Sequence, residues 1–107
     1  MNYTVDYFLT KFQAIPAEKW CKFETWIEYT QCGCANGHCG VRNVQSTDSI
    51  VLTDEARALA VLFMGGHVGK SNDVDKFFVI STVNDAGDTN PKENIINKLL
   101  SIKAEQV

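Results

Sequence analysis

No apolar stretch in the chain approaches the ~20 residues a bilayer-crossing helix needs. The opening Met1-Asn2-Tyr3-Thr4-Val5-Asp6-Tyr7 has neither the basic start nor the apolar run of a signal peptide. These absences predict a cytoplasmic protein with no membrane segment. Basic clusters are lacking too. Ten Lys and Arg residues are scattered singly under a net charge of -3, so nothing is arranged to neutralise a run of phosphates, and duplex nucleic acid is disfavoured as a partner. There is no repeat, linker or low-complexity tract, and 107 residues at 45% hydrophobic suffice for one core but not two, which predicts a single domain over residues 1–107. Four cysteines are too few for a disulfide scaffold, and a reducing compartment keeps them as thiols or metal ligands. Asn2-Tyr3-Thr4 matches a glycosylation acceptor, but a chain with no secretory route does not use one.

What is present divides into helical stretches and one unusual segment. Val5, Phe8, Leu9, Phe12 and Ile15 recur at steps of three and four, an apolar helix face that Pro16 closes. Aromatic and β-branched residues from Trp20 to Tyr29 alternate only roughly with Lys22, Glu24 and Glu28, which predicts a strand or irregular hairpin in competition with a second short helix. Gly33, Gly37 and Gly40 then require any following helix to be short or to begin near Cys34. Thr53, Asp54 and Glu55 start a helix, apolar nearly all round, that runs through Leu59 and Phe63 to Gly65-Gly66. Asn72 to Asp75 is polar, and Phe77 to Val83 reads as a strand on β propensity, although its length also fits a buried helix. Asn90, Pro91 and Glu93 cap a last helix carrying Ile95, Ile96, Leu99, Leu100 and Ile102. The fold class predicted is α+β: a small helix-rich single domain, three main helices with a short hairpin or two to three strands.

Between Cys32 and Gly40, nine positions hold three of the four cysteines and one of the two histidines. Cys21, Cys32, Cys34, His38 and Cys39 therefore supply enough nitrogen and sulfur donors for a tetrahedral zinc. Their spacing argues the other way, because Cys32-x-Cys34 and His38-Cys39 are too close to act as independent ligand pairs. Small buried hydrophobes beside glycines explain the segment equally well, and no cofactor is expected. A catalytic thiol requires a neighbouring base, for which His38 or His67 is available, yet no peptidase-type nucleophile segment surrounds Cys21, Cys34 or Cys39. Gly65-Gly66-His67-Val68-Gly69-Lys70-Ser71 imitates a phosphate-binding loop but has Met64 where the pattern requires glycine, and it follows a helix instead of a strand. A helix-ending turn with an exposed His67 accounts for it.

Trp20, Phe23, Trp26 and Tyr29 form an aromatic stretch, mostly core by its composition, with Trp26 or Tyr29 left as pocket walls. Arg42 is placed to meet an anion. Asn84-Asp85 ends one element before the last helix; turn formation explains it, and a polar pocket results if it lies beside His38.

Trp20-Cys21, Cys34-Ala35-x-Gly37-His38-Cys39-Gly40, Thr53 with Glu55 and Ala56, Asn84-Asp85 and Pro91-Lys92-Glu93-x-Ile95, in this order, resemble a family of small uncharacterised bacterial and bacteriophage proteins. The resemblance spans most of the chain. Asn36 stands where that family usually has leucine, and His38 or Cys39 where it often has an apolar residue. The resemblance implies a small helix-rich domain and an accessory role, with no activity attached and with less room for zinc.

Together these readings describe a non-catalytic binding protein that takes a small anionic ligand of nucleotide type or a host protein. Trp20, Trp26, His38, Arg42, Asn84 and Asp85 are the candidate binding residues. The alternatives are a zinc-stabilised interaction module on Cys21, Cys32, Cys34, His38 and Cys39, and a cysteine-dependent enzyme.

Overall fold

The structure, a computed structural model, describes residues 3–42, 50–65 and 72–106. Its first helix, α1, spans Val5–Gln13. The Thr4 hydroxyl caps it by accepting from the Tyr7 amide at 3.1 Å, and Val5, Phe8, Leu9 and Phe12 form its buried stripe. Pro16 ends the helical run as expected, and one 3-10 turn, Ala17–Lys19, delivers Trp20 into the core. The hairpin expected after Trp20 is present with very short arms. β1, Trp26–Ile27, pairs antiparallel with β2, Cys32–Gly33, placing Trp26 opposite Gly33 and Ile27 opposite Cys32. Gly33 also bridges Trp20 in parallel, so its backbone is flanked by two indole-bearing segments. A single turn of helix, α2, Ala35–His38, starts beside Cys34, where the glycine spacing allows one.

Three longer helices complete the described chain. α3, Asp54–Phe63, begins as predicted at Thr53, whose hydroxyl accepts from the Ala56 amide at 3.1 Å. α5, Pro91–Glu105, begins at Asn90 with proline in its first turn. Between them lies α4, Asp73–Asn84, and here the expected strand over Phe77 to Val83 is corrected to a helix. The polar run before it is a helix start: the Asn72 side chain accepts from the Asp75 amide at 2.9 Å, and Asp73 and Asp75 sit in the first turn, where the helix dipole favours carboxylates. Phe77, Ile80 and Asn84 are its buried positions, at steps of three and four. Packing against α2, α3 and α5 outweighs a β preference worth at most ~1 kcal/mol per residue.

One core unites these elements, with Phe8, Phe12, Leu59, Ile80, Ile95 and Leu99 fully buried, each contributing on the order of 2–3 kcal/mol by removal from water. Asp73 fastens α4 to α3, accepting Arg57 Nε at 3.0 Å and Nη2 at 2.9 Å, along with the Leu52 amide at 3.0 Å. The Arg57 guanidinium holds the Asp73 carboxyl below its ordinary range. Glu55 joins α3 to α1 by accepting from Lys11 Nζ and, at 3.3 Å, the Tyr7 hydroxyl. The architecture is the α+β, helix-rich class expected, with one two-stranded antiparallel sheet among the described residues. No described helix is long and apolar enough to cross a membrane.

The hairpin lies directly on α2. A Cβ added to Gly37 falls 1.8 Å from the Thr25 carbonyl oxygen and 3.2 Å from the Trp26 ring. Helix propensity alone credits Gly37→Ala with ~1 kcal/mol of stabilisation, whereas the clash forces α2 and the hairpin apart. The substitution is therefore expected to destabilise the protein by more than about 3 kcal/mol. A urea-unfolding midpoint equal to or above that of the parent contradicts this packing.

Candidate functional site

The last turn of α4 builds the site. Asn84 is fully buried there. Its Oδ1 accepts from the Ala35 amide at 3.0 Å, and its Nδ2 donates to the Cys21 carbonyl at 3.1 Å and to Asp85 Oδ1 at 2.8 Å. The first amides of a helix have no partner within it, so Asn84 supplies the start of α2 with an acceptor while holding the chain at Cys21. Asp85 extends the same junction by accepting from the Phe23 amide at 3.3 Å. Asn36, on α2, is also fully buried and donates to the Phe77 carbonyl at 3.2 Å and Ser81 Oγ at 3.3 Å.

Behind the hairpin is an aromatic stack. His38 lies 4.7 Å from the Trp20 ring and 5.4 Å from the Trp26 ring, edge to face with the latter. Arg42 covers the outer face of Trp26 at 4.0 Å and donates to the Gly37 and Val41 carbonyls at 2.7 and 2.9 Å. A cation over an indole face is worth about 0.5–2 kcal/mol, so Arg42 fastens Trp26 down. The His38 Nε2 meets the Lys19 carbonyl at 2.8 Å, and because a carbonyl only accepts, this nitrogen carries the proton. Burial holds the His38 pKa below its ordinary value, with the Lys19 carbonyl opposing the shift.

In front of this stack, the loop from Phe23 to Thr25 and α4 enclose a cleft of about 250 Å³ with Cys34, Phe77, Phe78 and Ser81 among its walls. A second depression of about 540 Å³ continues from it past Phe23 and Phe77 to Trp26, Glu28 and Arg42. Phe23 is 82% exposed and Phe78 is 47% exposed. Phe23 also adopts a φ of 64°, a left-handed conformation that costs a bulky residue on the order of 1–2 kcal/mol. The hydrogen bond its amide donates to Asp85 Oδ1, and the reach of Lys22 Nζ to the carbonyls of Ala86 and Gly87, hold the loop in that shape. The charged residues lining the two depressions are Glu24, Glu28 and Asp85 against Arg42.

The sequence candidates thus separate. Trp26, Arg42 and Asp85 line the depressions, Asn84 is the buried tie beneath them, His38 stands half-buried behind Trp26, and Trp20 belongs to the core. Tyr29 is exposed. The five metal-ligand candidates do not converge: the Cys21 sulfur meets the Glu24 carbonyl and the Cys32 sulfur the Glu18 carbonyl, each at 3.7 Å, Cys34 underlies the cleft, Cys39 is in the core and the His38 Nε2 proton faces Lys19. Among the described residues no group of three or more His, Cys, Asp or Glu side chains is placed to hold a metal. Burial pushes the thiol of Cys21 up to about 12 and raises those of Cys34 and Cys39 as well, so these three stay protonated at neutral pH and are poor nucleophiles. The Gly65–Ser71 segment lies outside the described residues from residue 66 to 71, His67 included.

Phe23, Phe77 and Phe78 were not legible as site residues. Phe23 sat in a stretch assigned to the core, and the two others sat in the presumed strand. Read with helical spacing, neighbouring Phe77 and Phe78 are turned about 100° apart, which already sends one of them outward. Comparison of the chain with protein families, with curated proteins and with solved structures finds no match.

The depressed His38 pKa fixes a pH dependence. The unfolded imidazole takes up its proton near pH ~6.5, while the folded one resists until lower pH, so the unfolded state holds more protons in that interval. Stability is full above ~6.5 and falls as the pH drops toward the folded value. Denaturant midpoints measured from about pH 7.5 to about pH 5.5 should fall for the parent and fall less for His38→Gln, whose amide keeps a donor for Lys19. Identical slopes for the two proteins contradict the assignment.

Proposed function

We propose that the chain is a non-catalytic binding protein whose binding face is the cleft between the 23–28 loop and α4, and that its partner is a host protein. The observation carrying this reading is Phe23, a large aromatic side chain held almost wholly in solvent by a strained, hydrogen-bonded backbone, opposite a second exposed aromatic, Phe78. Strain of this kind persists where the surrounding structure enforces it, and aromatic anchors dominate the energetics of protein interfaces. Charge selects between the two partner classes considered. A small anion entering the depressions meets Glu24, Glu28 and Asp85, with Arg42 as the opposing cation in the lining. A protein segment presenting one apolar side chain beside a lysine or arginine satisfies both the aromatic walls and this acidic rim.

The resemblance of Trp20-Cys21, the Cys34–Gly40 segment and Asn84-Asp85 to small bacterial and bacteriophage proteins supports an accessory role in the cytoplasm. In a phage such a protein acts in counter-defence by occupying a host protein.

Selection of binders from a random peptide library tests the reading. Apolar residues flanked by Lys or Arg should be enriched. Phe23→Ala should weaken the selected peptides by about thirtyfold, ~2 kcal/mol, with its melting temperature retained, and Glu24→Lys should weaken them further as salt is lowered. Enrichment of acidic peptides, or a melting shift produced by cyclic or linear nucleotides and lost in Arg42→Ala, overturns the protein-partner reading in favour of an anionic ligand.

A further inference from the structure

Register fixes where the main-chain groups of the hairpin point. In an antiparallel pair, residues that exchange hydrogen bonds with the facing strand alternate with residues whose N–H and C=O turn away from it. Trp26 stands opposite Gly33 and Ile27 opposite Cys32, which sets Thr25 level with Cys34. The Cys34 amide donates to the Thr25 carbonyl at 3.3 Å, so that pair is of the bonded kind and the next, Trp26 with Gly33, is not. Gly33 agrees: its carbonyl turns from β1 and accepts from the Cys21 amide at 3.0 Å. The far side of β2 is thereby taken by the Trp20 segment. On the outer side of β1, the Trp26 N–H and C=O point away from the hairpin, and among the described residues no hydrogen bond to either is found.

The depression of about 540 Å³ follows this edge. A groove over one face of a strand meets every second side chain, whereas this one is bordered by residues 23 to 26 in succession, as a groove along the main chain is. An unpaired strand edge is a template for another strand, and here Glu24 and Glu28 set the charge beside it.

We propose that the partner is held by strand addition: an extended segment enters the depression and exchanges main-chain hydrogen bonds with the N–H and C=O of Trp26. An apolar side chain of that segment packs against Phe23 and Phe77, and a neighbouring lysine or arginine meets Glu24 and Glu28. The occupant is an extended, basic segment of another protein, with no proline at the paired position, because proline has no N–H for the Trp26 carbonyl. A second copy of this chain fits poorly. Two copies paired edge to edge about Trp26 would set Glu24 opposite Glu28 across the seam, like charge against like. The mode of binding rests on the protein-partner reading above; the open edge itself does not.

Amide exchange followed by NMR reads the edge first, on the free protein. The Trp26 amide should exchange about tenfold or more faster than that of Ile27, which the register bonds to Cys32. A synthetic series of the tightest peptide from the library selection, each member N-methylated at a different backbone amide, then reads the mode. The unmethylated peptide should slow Trp26 exchange about tenfold or more. N-methylation should weaken binding about tenfold at the residue whose N–H meets the Trp26 carbonyl, and less than about threefold at the residues on either side. A Trp26 amide as slow as Ile27 in the free protein overturns strand addition, as does Trp26 protection that grows with protein concentration alone. A peptide that binds while leaving Trp26 exchange unchanged, or that has no such sensitive residue, overturns strand addition and leaves the protein-partner reading standing. A selection that yields no peptide removes both.

Discussion

The Asn84 side chain is the tie on which the site's geometry depends. One amide group, fully buried at the end of α4, gives the first amide of α2 its acceptor and takes the Cys21 carbonyl as its own. Asparagine suits the position because its side chain offers acceptor and donor a short distance apart, matching an amide and a carbonyl that come from different parts of the chain. Each of those backbone groups, left without a partner in the interior, costs about 1–3 kcal/mol. The tie therefore orders three pieces at once: the helix that floors the cleft, the loop that walls it and the single helical turn beneath.

The cysteine and glycine segment takes its meaning from that arrangement. Gly37 leaves room for the Thr25 carbonyl, and Gly33 carries no side chain where Trp26 crosses it, a Cβ there meeting both the Thr25 oxygen and the indole at 2.6 Å. Cys34 and Cys39 fill small buried spaces, and the His38 ring fills the gap between Trp20 and Trp26. Density of sulfur and imidazole in the sequence suggested a ligand set. In space these groups serve close packing, which seats the hairpin directly on α2.

Legibility followed local chemistry. Helix starts at Thr53 and Asn90 were visible because a capping side chain, an acidic first turn and apolar spacing all act within a few residues. The hairpin after Trp20 was visible through its aromatic and β-branched residues, and the short turn after Cys34 through glycine spacing. α4 was not: its apolar run carries no alternation and no clear stripe, since Phe78 and Val79 interrupt the buried positions Phe77 and Ile80, and its capping asparagine was absorbed into a polar loop. At the site, Asp85, Trp26 and Arg42 were anticipated from turn chemistry, aromaticity and charge. Phe23 escaped because a positive φ at a phenylalanine is imposed by bonds to Asp85 and by Lys22 reaching residues 86 and 87, partners more than sixty positions away in the chain.

Native-state amide exchange on Asn84→Ala tests the central claim most directly. The account predicts a global loss of about 3 kcal/mol, with the Ala35 amide and the amides of residues 21–33 losing more protection than those of α1 and α5. Protection lost evenly along the chain, or not lost at all, contradicts the role given to Asn84.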